Sequence, residues 1–203
     1  MGEYLGNADK INFKPFGKVL LASGSPRRLQ LLAEAGFEVK VINNLTVDES
    51  YPDTFNAHRV PEFLSKLKAE AYKGYAIDEN LPLIAADTVV ILNGQIIGKP
   101  KNENDAVKMI LNLSGNMHEV VTGVTIIKPD QDQITFSETT KVYFNQIPEK
   151  FIEWYVEEYK PMDKAGAYGV QEWIGLVGVK KIEGDFYNVM GLPIQSVVTH
   201  LFK

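Results

Sequence analysis

Hydrophobic positions in this chain switch between short continuous runs and helical spacing. The run at residues 18–23, with Val19, Leu20, Leu21 and Ala22, predicts a buried strand. Pro26 suits a first helical turn with Ser25 as its cap, and Leu29, Leu32 and Ala33 recur at helical spacing until Gly36 offers a stop. Residues 37–42 return as a short strand. A polar stretch over 43–60, with Asp48, Glu49, Pro52 and Asp53, reads as loop. Pro61 opens a second helix with Phe63, Leu64, Leu67 and Ala71 on one side. Residues 83–86 read as a strand running into Asp87-Thr88. Residues 89–92 and 95–97 flank Asn93-Gly94, a dipeptide that suits a two-residue primed hairpin turn.

Further on, Ala106, Met109, Ile110 and Leu113 have helical spacing, closed by Ser114-Gly115. Residues 120–127 and 134–144 are β-rich. Pro148 starts a helix whose apolar face is Phe151, Ile152, Tyr155 and Val156. Residues 174–182 predict a strand, Gly184-Asp185 a turn, and Pro193 the start of a terminal helix. Helices and strands alternate, so the expected class is α/β with a mixed sheet. Residues 1–17 show no period and read as an N-terminal extension, ordered only if Phe13 and Phe16 find a groove. Residues 18–203 read as one domain.

Composition narrows the function classes. The chain has 203 residues, a formal net charge of -5 and no cysteine. The acidic balance argues against general nucleic-acid binding, which leaves a basic footprint, but leaves room for a local cation cluster around one phosphorylated molecule. Without cysteine, disulfides, thiolate catalysis and zinc-thiolate sites are excluded, and a reducing compartment is compatible. No apolar run approaches the roughly 20 residues a membrane helix needs. Glu3, Asn7, Asp9 and Lys10 interrupt any signal-peptide core near Met1. The expectation is a soluble cytoplasmic protein.

Two segments draw attention as chemistry. Ser23-Gly24-Ser25-Pro26-Arg27-Arg28 joins a strand to a helix N-terminus, where free N–H groups and the helix dipole attract anions. Gly24 allows close backbone approach, Ser23 and Ser25 add hydroxyls, and arginine grips phosphate oxygens in a fork. A simple Ser25 cap with solvated arginines fits the same residues equally well. Asp87 stands where an apolar strand turns polar; it could hold a metal or orient a water as general base, and taken alone it reads more readily as a salt-bridged or capping carboxylate. Asp48 and Glu49 could join it on one divalent ion, since magnesium takes a few carboxylates plus phosphate oxygens. Lys68 and Lys99 are lone cations. In residues 163–171, which include Lys164, interspersed glycines permit close approach, and the Gln171 amide suits reading a base edge. His58, His118 and His200 are too scattered for a metal site or a catalytic triad.

The ordered set LASGSPRR at 21–28, VDE at 47–49, KLKA at 66–69, AADTVV at 85–90, GKP at 98–100, SGNMHEVVTGV at 114–124, DKAGAYGVQ at 163–171 and NVMGLP at 188–193 resembles the Maf family of nucleoside triphosphate pyrophosphatases, from Lys18 to about Leu201. The resemblance implies a fold like the inosine triphosphate pyrophosphatases: an elongated mixed sheet flanked by helices in two lobes around a central cleft. It implies hydrolysis between the α and β phosphates, a divalent cofactor, magnesium or manganese, and a homodimer. Asp87 matches the family's catalytic base, and Arg27, Thr88 and Gln171 match positions tied to substrate choice. With Ser23, Ser25, Arg28, Lys68, Lys99 and Lys164 they make up the expected substrate site, and Glu49 and Asp87 the expected metal ligands. The Arg, Thr and Gln combination resembles the subgroup acting on dTTP and UTP; the alternatives are another nucleotide such as 7-methyl-GTP, or a non-hydrolysing regulator of cell division. Glu172 stands where many relatives have Gly, placing an acidic residue beside the base-reading position.

Overall fold

A computed structural model describes residues 14–52 and 54–202 of the protein. Phe13 and Asp53 lie outside the described residues. One seven-stranded mixed sheet organises the molecule. Strand β1 (Lys18–Ala22) runs into helix α1 (Pro26–Ala35), which ends on Gly36 in the left-handed conformation, and β2 (Glu38–Val41) returns beside β1 in parallel. Phe16 does find a groove, against Phe37 and Phe202. After the loop come α2 (Val60–Glu79), β3 (Leu83–Leu92), β4 (Gln95–Ile97), α3 (Glu103–Leu113), β5 (Met117–Ile127), β6 (Gln133–Phe144) and α4 (Glu149–Tyr159). Helix α5 (Trp173–Gly178), β7 (Val179–Glu183), α6 (Phe186–Met190) and α7 (Ile194–Leu201) complete the chain. The strand order is β2-β1-β3-β5-β6-β7, with β4 beside β3.

The sheet separates two apolar layers. Alternate residues of β1 and β3 point to opposite faces, as strand geometry requires. Ile84, Ala86 and Val90 join a large core with residues of α1, α3, α4 and α7, among them Leu32, Ile110, Tyr155 and Val197. Leu83 and Ala85, and farther along Val89 and Ile91, pack instead beneath α2, in two separate clusters. Asp87 falls between those clusters on the α2 face.

Helix α2 lies unusually close to the sheet because β5 carries Gly123 opposite Asp87. A Cβ at Gly123 would come within 2.2 Å of the Pro61 backbone. The face of α2 turned to the sheet is therefore built of small and hydroxylated residues: Ser65, Ala69, Tyr72 and Ala76 are buried with Leu64. Of the expected stripe of Phe63, Leu64, Leu67 and Ala71, Leu64 is buried and Phe63 and Leu67 pack against its cluster, while Ala71 is exposed.

Three element expectations also change. Residues 83–92 are one strand rather than a strand and a separate hairpin arm, since β5 pairs with it from Leu83 to Ile91 and carries Asp87 within the ladder. Residues 173–178 are helical before β7 begins, although that segment reads as β-rich. The turn at 184–185 leads into a short helix, α6, that the sequence pattern does not announce; the Asp185 side chain caps it on the Tyr187 N–H.

Candidate active site

The site follows from a mismatch in strand lengths. On one edge of β3, β1 ends with Ala22 opposite Ala85, and β4 begins to pair only at Val90. Between them the edge of β3 is left open at Ala86–Val89, and a cleft of about 640 Å³ occupies the gap. Ser23, Ser25, Arg27, Arg28, Glu49, Lys68, Asp87, Thr88, Lys99, Lys164 and Gln171 all line it. Residues spread over nearly 150 positions of sequence are thus brought to one cavity, with the N-terminus of α1 at one wall and the 163–171 segment at another.

Two carboxylates meet at a single ammonium. Lys68, projecting from α2, donates to Asp87 Oδ1 at 2.6 Å and lies 3.1 Å from Glu49 Oε1. The Lys68 and Asp87 side chains are only 16% and 14% exposed, so little water screens the pair. Glu49 reaches this point because α2 pins its loop: the Tyr72 hydroxyl accepts from the Leu45 N–H at 2.7 Å and donates to the Leu45 carbonyl at 3.1 Å. Asp48 does not join them. Its carboxylate caps its own turn on the Ser50 N–H at 3.0 Å, which removes it from the expected group of acids. Among the described residues no cluster of three or more acids or histidines gathers as a metal cage. Two convergent carboxylates fit a hard divalent ion that completes its shell with phosphate oxygens and water.

The adjacent arginines have different tasks. Arg28 fills the gap in the sheet edge: Nη1 donates to the Ala86 carbonyl at 2.7 Å and to Ser23 Oγ at 3.1 Å, Nη2 to Thr88 Oγ1 at 3.0 Å, and Nε to the Gly191 carbonyl at 2.9 Å. Burial pushes the Arg28 guanidinium down from its ordinary range, opposed by Asp87. Four of its five N–H donors are held by protein, so the expected phosphate grip narrows at Arg28 to a brace that carries positive charge to the cleft wall. Thr88 belongs to the same knot, its hydroxyl also meeting Thr122 Oγ1 at 3.0 Å. Arg27 instead reaches across the cleft to Asp163 Oδ2 at 2.6 Å.

Charges continue along the far wall. Lys164 Nζ lies 3.0 Å from Asp163 Oδ1 and 3.1 Å from Glu172 Oε1. Burial acts to raise the Asp163 carboxyl, but the hydrogen bonds from Arg27 and Lys164 outweigh it and hold the group at about 2. Glu172 lies behind the cleft wall rather than in it: it does not line the cavity, its other oxygen accepts from the Tyr155 hydroxyl, and its carboxylate stands beside the Gln171 amide, each within about 3 Å of where a Gly169 Cβ would sit. Lys99 is exposed at the end of the hairpin, whose Gly98 carbonyl accepts from the Gly166 N–H at 3.0 Å.

Sequence reasoning missed Asn43, Tyr72 and the Arg27–Asp163 bridge. The Asn43 amide lies 3.3 Å from where a Gly24 Cβ would sit; a polar pair after a strand carries no signal strong enough to single it out. His118 is no catalyst: it is buried, bonded through Nε2 to the Tyr168 hydroxyl at 2.8 Å.

The model of the family described as "Maf-like protein" matches residues 18–203. A protein of Cytophaga hutchinsonii named dTTP/UTP pyrophosphatase is 47% identical over 185 residues, 91% of this chain and 83% of its own. One of the same name from Bacteroides thetaiotaomicron is 46% identical, over 98% of this chain and 99% of its own. Among solved structures, the chain is similar to a nucleoside-triphosphatase, a dITP/XTP pyrophosphatase from Mycobacterium abscessus, with 15% identity, a TM-score of 0.42 and coverage of 91% and 93%. On the family match over residues 18–203 and these identities, the chain belongs to the Maf-like protein family.

Proposed function

We propose that the protein is a nucleoside triphosphate pyrophosphatase that hydrolyses dTTP and UTP to the monophosphate and pyrophosphate. The observation that carries this reading is the meeting of Asp87 and Glu49 at Lys68, in a cleft that also holds a helix N-terminus and the cations Arg27 and Lys99. The curated relatives' name supports the same substrates.

The residues divide the work by chemistry. A triphosphate repels an attacking water, so its charge must be offset before reaction. Ser25, whose side chain makes no capping bond, and the free N–H groups of the first turn of α1 receive phosphate oxygens. Arg27, Lys99 and Lys68 supply positive charge around them, with Arg27 exchanging its Asp163 partner for phosphate. Asp87 accepts the proton of the water that attacks the α phosphorus, and the pyrophosphate leaves on the cationic side. Glu49 and Asp87 would hold a divalent magnesium or manganese ion, which when bound neutralises phosphate charge as a Lewis acid. Gln171, facing the cavity from the opposite wall, pairs with the donor–acceptor edge of thymine or uracil. A homodimer and a cytoplasmic setting complete the proposal.

The direct test is product analysis in isotopically labelled water. Label in the monophosphate, with unlabelled pyrophosphate, is the expected result for attack at the α phosphorus. Release of orthophosphate, or label in the pyrophosphate, contradicts the proposed reaction.

A further inference from the structure

A glutamine amide by itself is a poor discriminator between uracil and cytosine. Uracil offers a donor beside an acceptor on the edge where cytosine offers the reverse, and an amide that swings half a turn about its last torsion can serve either. Selectivity therefore needs something that fixes Gln171, and its side chain has no protein hydrogen-bond partner among the described residues, although it lines the cleft.

The constraint lies in the turn beneath it. The Glu172 N–H donates to the Gly169 carbonyl at 3.0 Å and closes a turn over residues 169–172. Both ends of that turn meet one hydroxyl: Tyr155 of α4 accepts from the Gly169 N–H at 3.1 Å and donates to Glu172 Oε2. Tyr155 is fully buried and stacked on Tyr159, so the hydroxyl is held by the core rather than by the loop. The second Glu172 oxygen is held by Lys164 at 3.1 Å. Above Gly169 there is no spare room: a Cβ there would lie 2.9 Å from Glu172 Oε2 and 3.0 Å from Gln171 Nε2. The carboxylate and the amide NH2 group thus border the same point, and an anion there favours the NH2 end over the carbonyl end.

We infer that Tyr155 and Glu172 are positioning residues for nucleobase selection: the Tyr155 hydroxyl clamps the 169–172 turn, and the Glu172 carboxylate sets which end of the Gln171 amide faces the base. This inference rests on the proposed pyrophosphatase reading, with Gln171 as the base-reading group.

The test is the ratio of kcat/KM for UTP over CTP in the wild type, Tyr155→Phe and Glu172→Gln, with Gln171→Ala defining the floor. Both positioning variants are expected to lower the ratio by about tenfold, through a higher KM for UTP rather than a lower kcat. A merely structural role would instead lower thermal stability and kcat for both nucleotides together and leave the ratio unchanged, which overturns the inference. Should Tyr155→Phe fail to fold, Glu172→Gln carries the test, because its amide oxygen still accepts from the Tyr155 hydroxyl while the charge is gone. A wild type that releases no pyrophosphate from either nucleotide defeats the functional reading itself; a wild-type ratio preserved in the variants defeats only the clamp.

Discussion

Arg28 shows how one residue can serve the site by serving the fold. Its guanidinium ties the end of β1, the open edge of β3 and the turn after α6 into one knot. Lysine offers a point charge on a flexible stem and cannot reproduce that fork. Arg28→Lys is therefore expected to cost about 3 kcal/mol of stability, by leaving buried acceptors such as the Ala86 carbonyl unpaired, read as a lower midpoint in urea denaturation. An unchanged midpoint would contradict the brace. At this scale the sequence was informative about identity and less so about roles. Three features could each be singled out on their own ground: the segment around Ser23 and Arg27 as a strand-to-helix turn with cations, Asp87 as a carboxylate where an apolar strand turns polar, and Gln171 as an amide after interspersed glycines. That Arg27 and Arg28 would diverge, one to Asp163 and one into the sheet, depends on partners more than fifty residues away and leaves no local trace.

Among the elements, α2 controls the chemistry. It carries Lys68 over Asp87 and, through Tyr72, fixes the loop that delivers Glu49. Its height over the sheet depends on Gly123, where any side chain meets the Pro61–Glu62 backbone at 2.2–2.3 Å. Gly123→Ala is expected to destabilise the protein by about 3 kcal/mol through overpacking and to weaken turnover by lifting Lys68 from Asp87. Thermal unfolding and turnover measured on the same preparation check both; wild-type values in each would show that α2 can shift without consequence. The apolar spacing picks out Phe63, Leu64 and Leu67, which do pack inward, but not the small residues that continue the buried face of α2. Periodicity weighs large apolar side chains, and here close approach to a glycine selects Ser65, Ala69 and Ala76 instead. The 173–178 helix was hidden for a different reason: Trp173 to Gly178 is one continuous run of apolar residues and glycine, and periodicity alone does not tell helix from strand in such a run.

For the whole molecule, the buried groups predict how the fold answers to acid. Burial pushes the His118 imidazole down from 6.5 to about 4. Between those values the unfolded chain binds the proton that the folded chain refuses, so stability is present above pH 6.5 and is lost as the pH falls toward 4. A shift of that size corresponds to about 3 kcal/mol. Asp163 adds a second, lower window: its carboxyl is depressed, so its contribution is lost as the pH falls through about 2. Stability from urea titrations at pH 7 and 4.5 is expected to fall by an amount that shrinks in His118→Gln; an equal fall in the variant would remove His118 as the cause. The mixed sheet was legible from alternating elements; the cleft was expected only through the family resemblance, not from any pattern along the chain. It arises because β1 and β4 meet the same edge of β3 and leave a gap, a fact of pairing that no single segment encodes.

In the proposed reaction Asp87 drives pyrophosphate release from a pyrimidine triphosphate. The most direct measurement is pyrophosphate released from a panel of nucleoside triphosphates with magnesium, by the wild type and by Asp87→Asn. Turnover is expected to be highest with dTTP and UTP and to fall about a thousandfold in the variant, which keeps its fold because Lys68 retains Glu49 as a partner. Undiminished turnover by a folded Asp87→Asn, or silence across the panel from a wild type that still binds nucleotide, would contradict it.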